Sequence, residues 1–87
     1  MLAAYGVFPV DTPPDRHAAV ADAVARANRG LAVGNFEFDP EDGELLFKTA
    51  LPLGDDPPNA DVVRALLHAN IDTLDRFFPD FAALLYG

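Results

Sequence analysis

The segment that most restricts the fold comes first. Residues 2–10 read LAAYGVFPV, with Leu2, Ala4, Gly6, Phe8 and Val10 on one parity and Ala3, Tyr5 and Val7 on the other. Successive side chains of a strand point to opposite faces, so a strand formed here is apolar on both. An 87-residue chain has limited means of covering it. A domain of this length buries only about 60% of the surface its unfolded chain exposes, and one helical layer covers one face of a sheet. The sequence therefore asks for a second apolar surface, from another subunit or from further chain.

Beyond this strand, Asp11-Thr12-Pro13-Pro14-Asp15 predicts a helix start. Thr12 is the expected N-cap, Pro13 sits where a missing N–H is harmless, and Asp15 favours the positive first turn. The helix is expected over 13–29, with Val20, Val24 and Ala27 on its apolar face and a left-handed Gly30 ending it. The strand expected over 31–39 slips phase: Leu31 and Val33 share one parity, Phe36 and Phe38 the other. An inserted residue at Gly34-Asn35, a bulge, would restore one apolar face. Asp39-Pro40-Glu41-Asp42-Gly43 has the chemistry of a hairpin turn, leading into a strand over 44–51 that is central or edge with a protected face.

After a loop over 52–58, capped by either Asp56 or Asn59, apolar residues recur at threes and fours from Val63 to Phe78. This periodicity predicts an amphipathic helix over 60–78 with a broad apolar face. Pro79 is expected to interrupt it, leaving a short, bent helix over 80–86. The whole is an α+β fold, a small, mainly antiparallel sheet with helices packed on it, in one domain spanning 1–87. Strand one and the sheet face away from the helices are expected to carry the surplus apolar surface.

Composition removes several chemistries. There is no cysteine, no serine and no tryptophan, so disulfides, thiolate metal sites and Ser or Cys triads are excluded. Fourteen acidic side chains against six basic give a net charge of −8, which disfavours nucleic acid, whose affinity depends on Lys and Arg displacing counterions. No segment has the n-region and h-region of a signal peptide or the roughly 18 apolar residues of a membrane span, so a cytoplasmic protein is expected.

The densest charge cluster, Glu37, Asp39, Glu41, Asp42 and Glu44, fails the calcium-loop spacing: counting back five from Gly43, the required sixth-position glycine, puts Phe38 at the first ligand. Weak cation binding and a solvated acidic turn remain the alternatives. His17 and His68 are too few for a zinc site without carboxylates. Gly30 and Gly34 lack phosphate-loop spacing. No catalytic residue, cofactor site or metal site is assigned. Asn70 falls inside the apolar face of the long helix, as a polar residue fixing register at a helix interface, as one grasping a bound peptide backbone, or as a buried amide satisfied by a nearby loop carbonyl. Asn28 and Asn35 suit local backbone hydrogen bonds.

Ala27-Asn28, Gly30-Leu31, Gly34-Asn35-Phe36-Glu37, Asp39, Asp42-Gly43-Glu44, Lys48-Thr49, Ala69-Asn70, Asp75, Pro79 and Tyr86-Gly87, in this order and spacing, resemble the YbjN family of bacterial proteins in its cyanobacterial form. The family is labelled a sensory transduction regulator. The resemblance implies a fold similar to type III secretion chaperones, which are small, acidic, dimeric and bind segments of other proteins. Family members usually carry a helix and strands upstream of the position of Met1, so the resemblance also implies a missing segment or a partner on the exposed sheet face.

The resulting expectation is a non-enzymatic, chaperone-like binding or regulatory module. It is expected as a homodimer with an unidentified protein partner, without nucleic acid or membrane. The candidate interface is Leu2, Ala4, Tyr5, Phe8, Phe36, Phe38 and Asn70, and the structural turn and bulge residues are Gly30, Gly34, Asn35, Asp42 and Gly43. The alternatives are a transcription or signalling regulator acting through a protein partner and a small carboxylate- or metal-dependent enzyme.

Overall fold

Proline and glycine punctuate the chain into five regular elements. The computed structural model describes residues 1–52 and 54–86. Leu53, within the expected 52–58 loop, and Gly87, within the family-like ending Tyr86-Gly87, lie outside the described residues. Strand β1 (Leu2–Val7) is followed by a single 3-10 turn (Pro14–Arg16), helix α1 (His17–Arg29), strands β2 (Asn35–Phe38) and β3 (Leu45–Leu51), and helix α2 (Ala60–Tyr86). The strands form an antiparallel sheet in the order β1-β3-β2, so β3 is central.

Register decides which side chains share a face. Ala4 lies opposite Thr49, Gly6 opposite Phe47, and Phe47 opposite Phe36. Leu2, Ala4 and Gly6 therefore share the helix-covered face with Phe36, Phe38, Leu45, Phe47 and Thr49. The other face carries Ala3, Tyr5 and Val7 beside Leu46, Lys48 and Ala50, then Asn35 and Glu37. The core between sheet and helices is Phe8, Val20, Phe36, Leu45, Phe47, Phe81 and Leu85. Phe36 is its hub, with ring centroids 4.7 Å from Phe47, 4.8 Å from Phe81 and 5.4 Å from Phe77.

Several element bounds differ from the sequence expectation, each for a local reason. The first strand stops at Val7 rather than residue 10. Phe8 N–H still donates to the Leu45 carbonyl at 3.0 Å, but Pro9 has no donor to continue the ladder. Thr12 does not cap the helix through its side chain. It is buried, its N–H donates to the Gly43 carbonyl (2.7 Å), and its own carbonyl accepts from His17 Nε2 (2.9 Å). Pro13 is held extended (ψ 145°), as a residue before proline prefers, so the helical path starts at Pro14 and α1 at His17.

Gly30 ends α1 in a right-handed conformation (φ −95°), its N–H donating to the Ala27 carbonyl, and not in the left-handed one expected. No bulge forms at Gly34-Asn35. Residues 31–34 lie outside the sheet, and the change of phase is made by Gly34, whose φ of +78° redirects the chain just before β2. Asn59, not Asp56, caps α2: its Oδ1 accepts from Asp61 N–H (2.7 Å) and its carbonyl from Val63 N–H (3.0 Å).

Pro79 does not break the last helix, and the expected separate helix over 80–86 is the continuation of α2. A proline inside a helix deletes the bond to the carbonyl four residues earlier, here that of Asp75. Asp75 and Pro79 are both exposed, so water can satisfy the freed carbonyl. An unbroken axis also keeps Phe81 and Leu85 in phase with Leu66 and Asn70, and all four are buried. Burying Phe81 and Leu85 contributes about 1.5–3 kcal/mol each, enough to offset the ~3 kcal/mol penalty of proline.

Candidate protein-binding surface

The polar residues within the apolar faces are committed to holding the domain together. Asn70 is 5% exposed, and its Nδ2 lies 3.1 Å from the Ala4 carbonyl, 3.2 Å from the Phe47 carbonyl and 3.3 Å from Thr49 Oγ1. It is thus a buried amide, satisfied not by a nearby loop carbonyl but by strand carbonyls where α2 packs over β1 and β3. The same crossing explains Gly6, where a Cβ would lie 1.9 Å from Leu74 Cδ1 and 2.8 Å from Asn70 Oδ1. Asn28 acts on the opposite side. Its Nδ2 donates to the Phe36 carbonyl (2.9 Å) and its Oδ1 accepts from Phe36 N–H (2.7 Å), so α1 supplies the backbone-like partner that the outer edge of β2 lacks.

The acidic hairpin is organised by its own backbone. Asp39 Oδ1 accepts from Glu41 N–H (2.9 Å), Asp42 Oδ1 from Glu44 N–H (2.8 Å), and the Asp39 carbonyl from Gly43 N–H (2.8 Å). Gly43 has φ +80°, and a Cβ there would lie 2.5 Å from the Thr12 carbonyl oxygen. Among the described residues, no group of three or more His, Cys, Asp or Glu side chains is placed to hold a metal ion. His17 is used in the fold, set edge-on to Phe38 at 5.2 Å and bonded to Thr12, while His68 is exposed on α2.

The residues expected at an interface divide between interior and surface. Phe8 and Phe36 are buried beneath the helices, as is Asn70, so these three candidates lie in the interior of the chain and not on its surface. The phase of Phe36 and Phe38 matches Leu45 and Phe47, so both point at the helices and not at the open face. Leu2, Ala4 and Phe38 are half-buried on that same covered side. Tyr5 alone of the set stands clear, 56% exposed on the open face, with Lys48 Nζ 5.8 Å from its ring centroid. Asn35 is exposed at the start of β2, its Nδ2 3.4 Å from the Phe36 carbonyl.

Further apolar side chains are exposed near Tyr5 and along α2. Val7, 56% exposed, continues the row of Tyr5. On α2, Leu67, Ile71 and Phe78 are 47%, 53% and 42% exposed, although their spacing reads as core. Ridge spacing of four and seven puts these three on one flank of the helix. That flank faces β1, because Phe78 stacks on Phe8 at 5.6 Å. The opposite flank faces α1 and β2. There Ala23, Ala27, Phe77 and Phe81 line a 280 Å³ cleft rimmed by Arg26 and Asp80, and Val33, Leu51, Val62, Ala65, Leu66 and Ala69 line a wholly apolar hollow of 230 Å³.

This is a small α+β domain with one helix-covered face, one open face and carboxylates tied into a turn. A family model described as "Putative bacterial sensory transduction regulator", the YbjN model, matches residues 4–83, and the chain belongs to this family. The family is one of regulators by its description, not of enzymes. No curated protein and no solved structure matches the chain. No helix among the described residues is long and apolar enough to cross a membrane.

Proposed function

We propose that the protein is a non-enzymatic, chaperone-like protein-binding module, a single domain that acts as a cytoplasmic homodimer and regulates through a protein partner. The observation that carries this reading is the open sheet face, where Tyr5 and Val7 stand exposed beside Leu46 and Ala50 with no helix above them. The family description supports a regulatory role. The −8 charge favours a protein partner over nucleic acid. The hairpin carboxylates that motivated an enzymatic alternative lie on an exposed turn and bond to their own backbone, which supports a structural use.

Sedimentation equilibrium of the purified chain, with affinity capture from the native cell by wild type and by Leu46→Glu, tests the proposal. Twice the chain mass is expected, together with a captured polypeptide that Leu46→Glu loses. A monomer, or capture indifferent to Leu46→Glu, overturns it.

A further inference from the structure

The two edges of the sheet are not equivalent. Phe8 N–H bonds to the Leu45 carbonyl, so Phe8 and Leu45 are a hydrogen-bonded pair of the antiparallel ladder. With the β1–β3 register, the alternation of such ladders turns Gly6, Ala4 and Leu2 inward as well, and leaves the N–H and C=O groups of Ala3, Tyr5 and Val7 pointing outward. Among the described residues nothing bonds to them. The outward groups of Phe36 on the other edge, by contrast, are both taken by Asn28.

We infer that the open β1 edge is the homodimer interface, where a second copy of this chain adds its own β1 antiparallel about a two-fold axis at Tyr5. The inference rests on the homodimer reading above and specifies its surface. In this arrangement Tyr5 pairs with Tyr5 of the second copy and Ala3 with its Val7, so every outward group of the edge gains a partner.

The helix layer identifies a second copy, and not a lone peptide strand, as the occupant. Helix α2 touches both β1, at Ala4 and Gly6, and β3, at Phe47 and Thr49, so its axis lies over the boundary between these strands. Adding β1 of a copy places the two α2 axes about two strand spacings apart. That is roughly 9.5 Å, within the 8–10 Å at which helices pack. A bare strand would bring no helix and leave Leu67, Ile71 and Phe78 in water.

The contacts along the helices also match. Helix α2 runs parallel to β1, since Asn70 meets Ala4, Leu74 meets Gly6 and Phe78 meets Phe8. Rises of about 3.3 Å per strand residue and 1.5 Å per helical residue put Tyr5 level with the point midway between Asn70 and Leu74. A two-fold there brings Leu67 to within one helical rise, about 1.5 Å, of level with Phe78 of the second copy, and Ile71 likewise with its Leu74. Charge permits the approach: residues 1–10 carry no charged side chain in a chain of net charge −8, whereas the β2 edge leads into the acidic hairpin.

The test uses the full chain at several concentrations by sedimentation equilibrium, with circular dichroism as the check on folding. Tyr5→Pro removes an outward N–H that no ladder bond uses, a place where an edge strand tolerates proline. Ile71→Glu puts like charges into the helix seam at a position exposed in the monomer. Each is expected to weaken the dimer about thirtyfold or more, the effect of losing a central anchor, with the far-ultraviolet spectrum unchanged. Because the chain has no cysteine, Tyr5→Cys gives a clean crosslink. Its Cα atoms would stand about 5.5 Å apart across the axis, within disulfide range. Oxidation is expected to lock this variant as a dimer and to leave Asn35→Cys monomeric under denaturation. A wild-type dimer that persists in folded Ile71→Glu and fails to crosslink at Tyr5→Cys overturns this interface and leaves the homodimer reading standing. A wild-type chain that stays monomeric at all concentrations overturns both, the edge then being free for a strand of another protein.

Discussion

Replacing Asn70 by Asp changes one NH₂ to one oxygen at constant shape, so it isolates what the buried amide donates. In the wild type, Nδ2 faces the carbonyls of Ala4 and Phe47 and the hydroxyl of Thr49, all within 3.3 Å. A carboxylate there would set negative oxygen against oxygen acceptors with no cation to offset it, so its folded pKa must rise above the unfolded value of about 3.9. The folded chain then binds a proton that the unfolded chain has released, and stability falls as pH rises from the unfolded pKa to the folded one. A rise of about 2–3 units costs ~3–4 kcal/mol at pH 7, and the lost second N–H adds about 1–2 kcal/mol at every pH. Urea titrations followed at 222 nm should therefore show Asn70→Asp less stable than wild type by ~4–6 kcal/mol at pH 7. The gap should narrow toward about 1–2 kcal/mol near pH 4. A difference below about 1 kcal/mol at pH 7, or a penalty independent of pH, would refute the assignment of Asn70 as an essential donor.

The glycines separate by conformation. Gly34→Ala must hold φ at +78° with its Cβ 2.6 Å from Phe47 Cζ and 2.8 Å from the Lys48 carbonyl, and is expected to lose ~2 kcal/mol or more, whereas Gly30→Ala, right-handed and open, is expected to gain about 0.4–1 kcal/mol in the same urea assay. Pro79→Ala restores the helical donor without touching the core and should raise stability by up to ~3 kcal/mol; a loss would mean that α2 needs the proline geometry. Asn28→Ala removes both bonds to the backbone of Phe36, with an expected cost of about 1–3 kcal/mol and faster amide exchange at Phe36 than at Phe47.

The sequence exposed the elements better than the faces. Periodicity located the two helices and three strands because each has an apolar pattern of the right period and strong punctuation. It failed where one residue serves a distant partner. The phase slip before Phe36 reads as a bulge, but it is made outside the sheet by the positive φ of Gly34, and Asn28, in the last turn of α1, then holds the Phe36 backbone. Pro79 reads locally as a stop, and it is overruled by Phe81 and Leu85, whose burial requires an unbroken axis. Asn70 stood out in sequence as a polar residue among apolar ones, although its acceptors lie in strands 66 and 23 residues away. Leu67, Ile71 and Phe78 were hidden for the opposite reason: apolar residues at helical spacing look alike whether they face the core or a flank.

The asymmetry between the sheet edges sets a limit on growth. A sheet with two open edges can recruit copies on both sides and lengthen without end, which is the route to fibres. With the Phe36 backbone occupied by Asn28, the β2 edge is blocked at Phe36 while the β1 edge is open along Ala3, Tyr5 and Val7. Where a second copy joins through β1, the composite sheet is bounded on both sides by β2, with the Phe36 backbone already occupied. One asparagine on a neighbouring helix thus separates an assembly that closes from one that propagates.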